Sequence, residues 1–539
     1  MLFFRSYKYT KVYICIVYAF LCLRILAPTY KQVVGGHFVR NKAGYKSLKN
    51  RLIARFIGKL LLYLREITDM IIGRKRELEQ LKSDYESDEA RLVAVYGRRR
   101  IGKTFLVRQA FDNSFFFTYS GAFGVSNKEQ LRLFHDSLLR QGLKEETVPE
   151  SWFDAFGQLR DLIEKSRQKR KVIFIDEMPW MDAPRSRFVP ALEWFWNGWA
   201  SGRNDILMII CGSASSWIIR KIFKNRGGLH NRVNTRIHLH PFSLAETEEF
   251  VNHHRLGLTR SQILEGYMVM GGVPFYWSKL KASKSLAQNI NDLFINDDGE
   301  LRYEFNELYA SIFNNPERYI SVIETLATKK KGLTRDEISK GAKIDDNGHL
   351  TTILQDLVEC GFIRKYCHTD KKVRDAIYQL VDCYTLFYYQ FVKMAAAMDE
   401  DYWIKIQQTP TFHTWCGLAF ERVCLLHTCQ IKAALGISGI IANVFSWHVR
   451  KTDEHTGVQI DLVIDRSDNV INICEMKYAP NGYTLTTQEG KKISERIRVF
   501  SLYAPKRKAV QLVMITSDGI VGRRPIQPVR ELTASDLFS

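Results

Sequence analysis

The sequence predicts an α/β protein in which a parallel sheet flanked by helices is followed by a winged helix domain and a second α/β domain. Three observations support this prediction. Strand and helix patterns alternate from about residue 70 to residue 240. The pattern then changes to short helices after residue 316, and strands return in the last 130 residues. Finally, the chain has 539 residues, whereas a single hydrophobic core usually supports no more than about 250–300, so more than one domain is expected.

A glycine-rich loop lies between the first strand pattern, at residues 91–96, and the helix pattern that follows it. Its sequence G-R-R-R-I-G-K-T matches the phosphate-binding loop G-x-x-x-x-G-K-[ST]. Its backbone N–H groups and the helix N-terminus are expected to hold phosphate, Lys103 to reach the β- and γ-phosphates, and Thr104 to ligate Mg²⁺. ATP and Mg²⁺ are the expected cofactors. The nucleotide-binding residues of this loop are Gly97, Arg98, Arg99, Arg100, Ile101, Gly102, Lys103 and Thr104.

Two carboxylates follow another apolar strand pattern, at residues 171–175. We expect Asp176 to hold Mg²⁺ and Glu177 to polarise the attacking water, because a magnesium–nucleotide site needs acidic groups at a neighbouring strand end. The alternative is an ordinary helix cap. Ser213 follows the strand pattern at residues 205–211, where it is expected either to sense the γ-phosphate or to form a simple turn.

Residues 313–398 are predicted to form a winged helix-turn-helix. Three short helices are followed by two strands around a basic loop, and Thr334 with Glu337 forms a capping box for the second helix. The basic residues of the loop are expected to contact DNA; they are Lys371, Lys372 and Arg374. The alternative is a winged helix that contacts only protein.

The last domain contains a second group of polar residues. Residues 458–464 and 470–477 are predicted to be adjacent strands of a hairpin, which places Asp461 near Glu475 and Lys477. We expect Asp461 and Glu475 to hold Mg²⁺ for phosphodiester cleavage, with Lys477 positioning water and Glu421 adding a fourth polar group from a helix. The alternative is that Glu475 and Lys477 form only an exposed salt bridge.

Residues 1–69 differ from the rest of the chain in charge. They hold 13 Lys and Arg against 2 Asp and Glu, and so carry +11 of the formal net charge of +20. Residues 12–23 are apolar but too short to span a bilayer. We interpret 1–69 as an extension outside the fold, which starts at Met70; a membrane-surface anchor is the alternative. The ten cysteines show no zinc-type spacing, which fits a reducing compartment such as the cytoplasm.

The first half of the chain resembles a known family, the archaeal-type ATPases of the STAND branch near the AAA+ proteins. The resemblance rests on G-R-K-R-E-L-E-Q-L at 73–81, the loop at 95–104, I-D-E at 175–177 and G-G-V-P at 271–274. It implies that Gly73 and Arg74 lie near the adenine and that Gly272 and Pro274 form a turn near the nucleotide. It also implies that Arg232 acts on the γ-phosphate, in cis or from a neighbouring copy of a homo-oligomer, although Asn231 replaces the glycine of relatives.

The second half resembles the DUF234 domain, which is similar to PD-(D/E)xK nucleases of the restriction-endonuclease-like fold. The matching residues lie at 378–382, 387–391 and 475–477, whereas the proline that usually precedes the first acidic residue is absent before Asp461. The resemblance implies metal-dependent cleavage of nucleic acid.

Together these features predict an extension at 1–69, an ATPase with a helical lid at 70–312, a winged helix at 313–398 and a nuclease-like domain at 399–539. The expected function is that of a cytoplasmic ATPase whose nucleotide state controls a DNA-associated nuclease-like domain, without membrane attachment. The alternative is a regulatory switch without nuclease activity, in which the last domain only binds.

Overall fold

The computed structural model describes residues 71–539, apart from 145, 225–226, 230, 314, 330–331, 367–375, 396–400, 450 and 454. The predictions for residues 1–69 and for Lys371, Lys372 and Arg374 therefore lie outside the described residues. Across the described ranges, none of the helices has the length and apolar character needed to cross a membrane.

The first sheet has five parallel strands in the order β2-β3-β4-β1-β5, which confirms the predicted α/β class of this region. All five strands predicted from the sequence are present. They are β1 (Arg91–Tyr96), β2 (Phe117–Ser120), β3 (Lys171–Asp176), β4 (Ile206–Gly212) and β5 (Thr235–His238). Because the strands are parallel, their carboxyl ends share one edge of the sheet, and the loops that follow β1, β3 and β4 meet there.

Helices cover both faces of this sheet. Leu92 and Ala94 of β1 belong to one hydrophobic core and Val93 and Val95 to another, so the strand is buried on both sides and reads as a continuous apolar run. The flanking helices are α1 (Lys75–Glu86), α2 (Lys103–Ala110), α3 (Asn127–Arg140), α4 (Trp152–Lys165), α5 (Phe188–Gly198) and α6 (Ser215–Ile218), the last of which continues as a π-helical turn, Ile219–Phe223.

A helical region follows β5. Ser243 and Thr259 begin its first two helices with capping boxes, each of which satisfies backbone N–H groups at a helix start. The helices are α7 (Leu244–His253), α8 (Arg260–Met270), α9 (Pro274–Trp277), α10 (Leu286–Ile290), which continues as the π-helical turn Asn291–Ile295, and α11 (Glu304–Ile312).

Three helices and a small antiparallel sheet come next. Helices α12 (Pro316–Ala327), α13 (Arg335–Ala342) and α14 (Gly348–Glu359) accompany strands β6 (Leu333–Thr334), β7 (Ile363–Tyr366) and β8 (Ile377–Leu380). The strand order is β6-β8-β7, and both pairings are antiparallel. The capping box between Thr334 and Glu337 is confirmed. Gly361, at φ 75°, ends the turn after α14 and leads into β7.

The C-terminal part begins with helices and ends with a mixed sheet. The helices are α15 (Cys383–Phe387), continued by a π-helical turn at Tyr388–Val392, then α16 (Tyr402–Ile406), α17 (Pro410–Leu426) and α18 (Thr428–Ala434). The sheet order is β15-β13-β11-β10-β9. Its members are β9 (Ala442–Val449), β10 (Val458–Arg466), β11 (Val470–Lys477), β13 (Ala509–Thr516) and β15 (Arg530–Thr533); β12 (Tyr483–Thr484) pairs separately with β14 (Ile520–Val521).

The predicted hairpin is confirmed, because β10 and β11 pair in antiparallel register with Leu462 opposite Cys474. Helix α19 (Thr487–Tyr503) then crosses between β11 and β13, which are parallel. The helical region, the three-helix region and α17 share one hydrophobic core, which contains Tyr276, Leu354 and Phe420. Buried contacts therefore connect these three regions.

Gly272 lies where no side chain fits. A Cβ at this position would be 1.8 Å from the carbonyl oxygen of Phe242, whose N–H donates to the Gly272 carbonyl at 2.6 Å. We expect Gly272→Ala to lower the free energy of unfolding by about 1–3 kcal/mol, as overpacking usually does. Denaturant unfolding monitored by circular dichroism measures this loss. Gly157→Ala is the matched control, since a Cβ at Gly157 in α4 meets nothing within 4 Å, and it should be neutral or stabilising. Equal stability of the two variants would contradict the prediction.

Candidate functional site

The glycine-rich loop turns sharply between β1 and α2. Gly97 and Gly102 have φ of 147° and 90°, which favour glycine, and a Cβ on Gly97 would be 2.3 Å from the Leu239 carbonyl oxygen. Helix α2 begins at Lys103, so its first N–H groups open toward the loop. Lys103 is only 5% exposed, and its Nζ donates to the Arg98 carbonyl at 2.8 Å. The loop thus combines free helix N–H groups with an inward-facing ammonium group.

The predicted polar groups of the neighbouring strands meet at this loop. The Thr104 hydroxyl donates to Asp176 Oδ2 at 2.7 Å, across the edge of the sheet. Glu177, which adopts a left-handed conformation at φ 49°, accepts hydrogen bonds from the Ser213 hydroxyl at 2.7 Å and the Ser213 N–H at 3.2 Å. The sheet order explains this contact, because β4 lies between β1 and β3.

The donor set at Thr104 and Asp176 fits magnesium. A hydroxyl and a carboxylate are hard oxygen ligands, and Mg²⁺ usually takes one or two protein oxygens and completes its shell with phosphate and water. In the part of the chain that the structure describes, no three or more His, Cys, Asp or Glu side chains are grouped to hold a metal ion. A two-ligand site completed by a nucleotide is consistent with that finding.

A cavity of about 410 Å³ adjoins the loop. Arg74, Phe242 and Gly272 line it, so the structure brings together two residues that the family resemblance assigns to the nucleotide. The Arg74 guanidinium lies 4.8 Å from the Phe242 ring centroid, and its Nη2 donates to the His240 carbonyl at 2.5 Å. Gly73, at φ 61°, donates its N–H to Glu249 at 3.3 Å, and Pro274 starts α9 directly after the lining residue Val273.

The side chains of two loop arginines point away from the predicted phosphate position. Arg98, 4% exposed, forms a buried ion pair with Asp382, and its guanidinium lies 4.8 Å from the Phe362 ring centroid. Arg100 pairs with Glu304 at 2.7 Å. Sequence reasoning missed both partners, because the motif specifies only the glycines, the lysine and the hydroxyl residue. Arg98 and Arg100 are therefore expected to contact phosphate through their backbone N–H groups.

Arg232 lies at the opposite edge of the sheet. It is exposed in the turn before β5, and the neighbouring Asn234 N–H donates to the carbonyl of Leu92 near the start of β1. The phosphate loop follows Tyr96, at the other end of β1. Since β1 has six residues, its two ends lie about 17 Å apart. At this distance Arg232 does not fit action on the γ-phosphate of a nucleotide bound to its own chain. Action on a nucleotide bound to a neighbouring copy stays a prediction.

The acidic residues of the C-terminal sheet form a second site. Glu475 Oε1 lies 2.8 Å from Lys477 Nζ, as predicted for residues on one strand face, and Arg496 Nη1 of α19 donates to both Glu475 oxygens at 2.6 and 2.7 Å. Burial alone would raise the pKa of Glu475, but the charges of Lys477 and Arg496 outweigh it and hold that pKa below its ordinary value. The Glu475–Lys477 contact is partly buried, since the Glu475 side chain is 13% and the Lys477 side chain 33% exposed, and Arg496 is a partner that sequence reasoning missed.

Glu421 lies near enough to Asp461 to be influenced by its charge. Burial, and then the nearby Asp461 carboxylate, raise the pKa of Glu421 to about 7. Asp461 accepts a hydrogen bond from Gln459 Nε2 at 2.6 Å. Its backbone carbonyl accepts from the Ser446 hydroxyl at 2.5 Å. Glu421, which the sequence analysis added to this site from a helix, is therefore influenced by the charge of Asp461.

The ATPase region matches known proteins. A family model described as an ATPase domain predominantly from Archaea matches residues 71–280, a range that includes the loop, Asp176, Glu177 and Ser213. The uncharacterized protein MJECL04 of Methanocaldococcus jannaschii is 23% identical over 415 residues, which cover 76% of this chain and 88% of that protein. The uncharacterized ATP-binding protein MJ0423 of the same organism is 43% identical over 44 residues, which cover 8% of this chain and 75% of that protein.

Solved structures are similar at lower identity. The Walker-type ATPase of Pyrococcus abyssi is 17% identical with a TM-score of 0.42, over 59% of this chain and 95% of that one. The ORC2 protein of Aeropyrum pernix is 14% identical with a TM-score of 0.39, over 61% of this chain and 96% of that one.

The raised pKa of Glu421 predicts a pH-dependent stability. Folding lifts this pKa from 4.5 to about 7, so the folded state holds the proton more tightly, and the cost of ionising Glu421 grows as the pH rises from about 4.5 to 7. We expect Glu421→Gln to melt at a higher temperature than the parent at pH 8 and by a clearly smaller margin at pH 5. Calorimetry at both pH values tests this. The control is Glu79→Gln on the exposed face of α1. A Glu421→Gln difference that is the same at both pH values would refute the prediction.

Proposed function

Because residues 71–280 form a P-loop ATPase domain of the type found predominantly in Archaea, we propose that this chain binds and hydrolyses ATP and uses its nucleotide state to control its C-terminal domain. The observation that carries the proposal is the meeting of Thr104, Asp176, Glu177 and Ser213 at the phosphate loop. These are the groups that a nucleotide triphosphatase needs at one sheet edge.

Each group has a distinct role in the proposed reaction. The loop N–H groups and Lys103 bind the phosphates, while Thr104 and Asp176 hold Mg²⁺, which when bound neutralises phosphate charge. Glu177 orients the attacking water and accepts its proton. Ser213 would fix the Glu177 carboxylate for this role through its two hydrogen bonds. Arg232 acts from a neighbouring copy, which makes a homo-oligomer part of the proposal.

We propose DNA as a partner of the region at residues 313–398. The order helix, strand, two helices and two strands, from α12 to β8, supports the prediction of a winged helix. Residues 70–539 carry a net charge of +9, which is basic enough to allow binding to nucleic acid. The proposed DNA contacts of Lys371, Lys372 and Arg374 lie in a segment that the structure does not describe. A cytoplasmic location is proposed because the reaction requires ATP.

For the C-terminal domain we propose metal-dependent cleavage of nucleic acid. Asp461 and Glu475 lie on paired strands with Lys477 beside them, and two carboxylates with a lysine suit the hydrolysis of a phosphodiester. Mg²⁺ would be held by Asp461 and Glu475. Lys477 would stabilise the charge that develops on the phosphate, and Glu421, with its pKa of about 7, would transfer protons near neutral pH.

One observation favours a second candidate, a regulator without nuclease activity. Glu475 is already neutralised by Lys477 and Arg496, so binding a metal ion requires it to exchange at least one of these partners. In that case the domain uses the same cluster for binding rather than for cleavage.

Two substitutions separate ATP binding from hydrolysis. Lys103→Ala should weaken binding of labelled ATP by about tenfold or more, which corresponds to about 1.4 kcal/mol, because it removes the ammonium group at the phosphates. Glu177→Gln should retain binding but lower the hydrolysis rate by roughly 10²–10⁴-fold, as loss of a general base does. Binding by fluorescence and phosphate release measure the two effects, and Lys82→Ala on the exposed face of α1 is the control. If Lys103→Ala behaves like that control, the nucleotide site is wrong.

Asp461→Ala distinguishes the nuclease from the regulator. If the domain cleaves DNA, the parent protein nicks plasmid DNA with Mg²⁺ or Mn²⁺, and Asp461→Ala loses this activity by roughly 100-fold or more, since it removes a metal ligand. Asp468→Ala, on the exposed turn between β10 and β11, should retain it. Parallel assays with ATP, with ADP and without nucleotide test the control by nucleotide state. Equal nicking by Asp461→Ala and the parent would favour the regulator, and a rate indifferent to nucleotide would contradict the coupling.

A further inference from the structure

Strands β7 and β8 contact both proposed sites. They belong to the three-stranded sheet. Asp382, two residues after β8, reaches the phosphate loop, and Arg364 of β7 reaches the C-terminal acidic site. A pair of hydrogen-bonded strands, in which Arg364 lies opposite Gln379, therefore connects the two sites.

The contact with the phosphate loop is made by Asp382 and Phe362. The Asp382 carboxylate pairs with Arg98, and the Phe362 ring lies beneath the same guanidinium. These two residues are tied to each other, because the N–H groups of Val381 and Asp382 both donate to the Phe362 carbonyl, at 3.0 and 3.2 Å. Arg98 thus contacts one rigid junction at the end of the strand pair.

This junction cannot relax into solvent. Arg98 and Asp382 are 4% and 7% exposed, and a buried charge that loses its partner is strongly unfavourable. Asp382 Oδ2 also accepts from the N–H of Thr385 at 3.0 Å and from its hydroxyl at 2.6 Å, which fixes the carboxylate to the start of α15. A movement of Arg98 must therefore move the junction with it or break a buried pair.

The contact with the acidic site is made by Arg364, two residues after Phe362. Arg364 Nη2 donates to the Ser446 hydroxyl at 2.6 Å, and that hydroxyl donates to the Asp461 carbonyl at 2.5 Å. Arg364 Nε donates across the strand pair to Gln379 Oε1 at 2.7 Å. Two residues of extended chain span about 7 Å, so the two contacts lie close together at the start of β7.

Lys103 connects the nucleotide to this path. Its Nζ donates to the Arg98 carbonyl, whereas a bound triphosphate would draw the same ammonium group to its phosphates. Binding therefore changes the hydrogen bonding of the residue whose side chain holds Asp382.

We propose that Asp382 and Arg364 are positioning residues through which occupancy of the phosphate loop alters the setting of Asp461. The path runs from Lys103 and Arg98 to the junction of Asp382 with Phe362, and from there through Arg364 and Ser446 to β10. The proposal rests on the proposed binding of ATP but not on nuclease activity, so it applies equally to the regulator.

The test is amide hydrogen exchange in the full-length protein, with and without a non-hydrolysable ATP analogue. In the parent, saturating analogue should change the exchange rates of residues 442–449 and 458–466 by roughly fivefold or more, the lower end of typical allosteric coupling. Arg364→Met should bind the analogue with the affinity of the parent, but the analogue should no longer alter these exchange rates. Ser446→Ala removes only the bridging hydroxyl and should also lose the change in exchange rates. This second variant keeps the test decisive if Arg364→Met fails to fold.

Arg335→Met is the matched control. Arg335 belongs to α13 of the same region but pairs with the exposed Asp346, away from both sites, so this variant should respond like the parent. A parent that binds the analogue without a change at 442–449 and 458–466, or an Arg364→Met variant that retains the change, overturns the coupling alone. Failure of the parent to bind the analogue overturns the proposed function and the coupling with it.

Discussion

The buried ion pair between Arg98 and Asp382 constrains the arrangement of residues 71–539. A guanidinium that is 4% exposed needs a charged partner, and this partner comes from a residue 284 positions further along the chain. The buried position of the Arg98 side chain therefore depends on the segment that follows β8. The hydrophobic core that the helical region, the three-helix region and α17 share also holds these parts of the chain together. The ATPase region and the rest of the described chain are thus one structural unit.

The two acidic sites hold their carboxylates by different means. At the phosphate loop, Asp176 and Glu177 are held by the hydroxyl groups of Thr104 and Ser213, which leave their negative charge available to a cation. In the C-terminal sheet, Glu475 is neutralised by Lys477 and Arg496, and Glu421 holds its proton up to about pH 7. The first arrangement fits a magnesium–nucleotide complex directly. The second needs an exchange of partners before it holds a metal, which is why the regulatory alternative has a physical basis.

Features encoded by neighbouring residues could be predicted well. The strands of the first sheet follow from apolar runs, and the capping box at Thr334 follows from residue types three positions apart. The pairing of β10 with β11 follows from a short turn, and it places Asp461 beside Glu475. Contacts between distant residues could not be predicted. Arg98 occupies a variable position of its motif, and Arg364 and Arg496 lie 82 and 21 residues from the groups they hold, without a local pattern that marks them.

The sequence by itself determined the chemistry of the phosphate loop, because glycine conformations, a lysine and a hydroxyl residue at fixed spacing act through the local backbone. The sequence likewise determined that two carboxylates, Asp176 and Glu177, stand at the end of β3. Only the tertiary structure decided that the loop arginines turn toward Asp382 and Glu304, that Arg232 lies at the far edge of the sheet, and that one strand pair reaches both sites. The reason is that burial and charge pairing depend on which surfaces meet, and residues far apart in the chain settle that together.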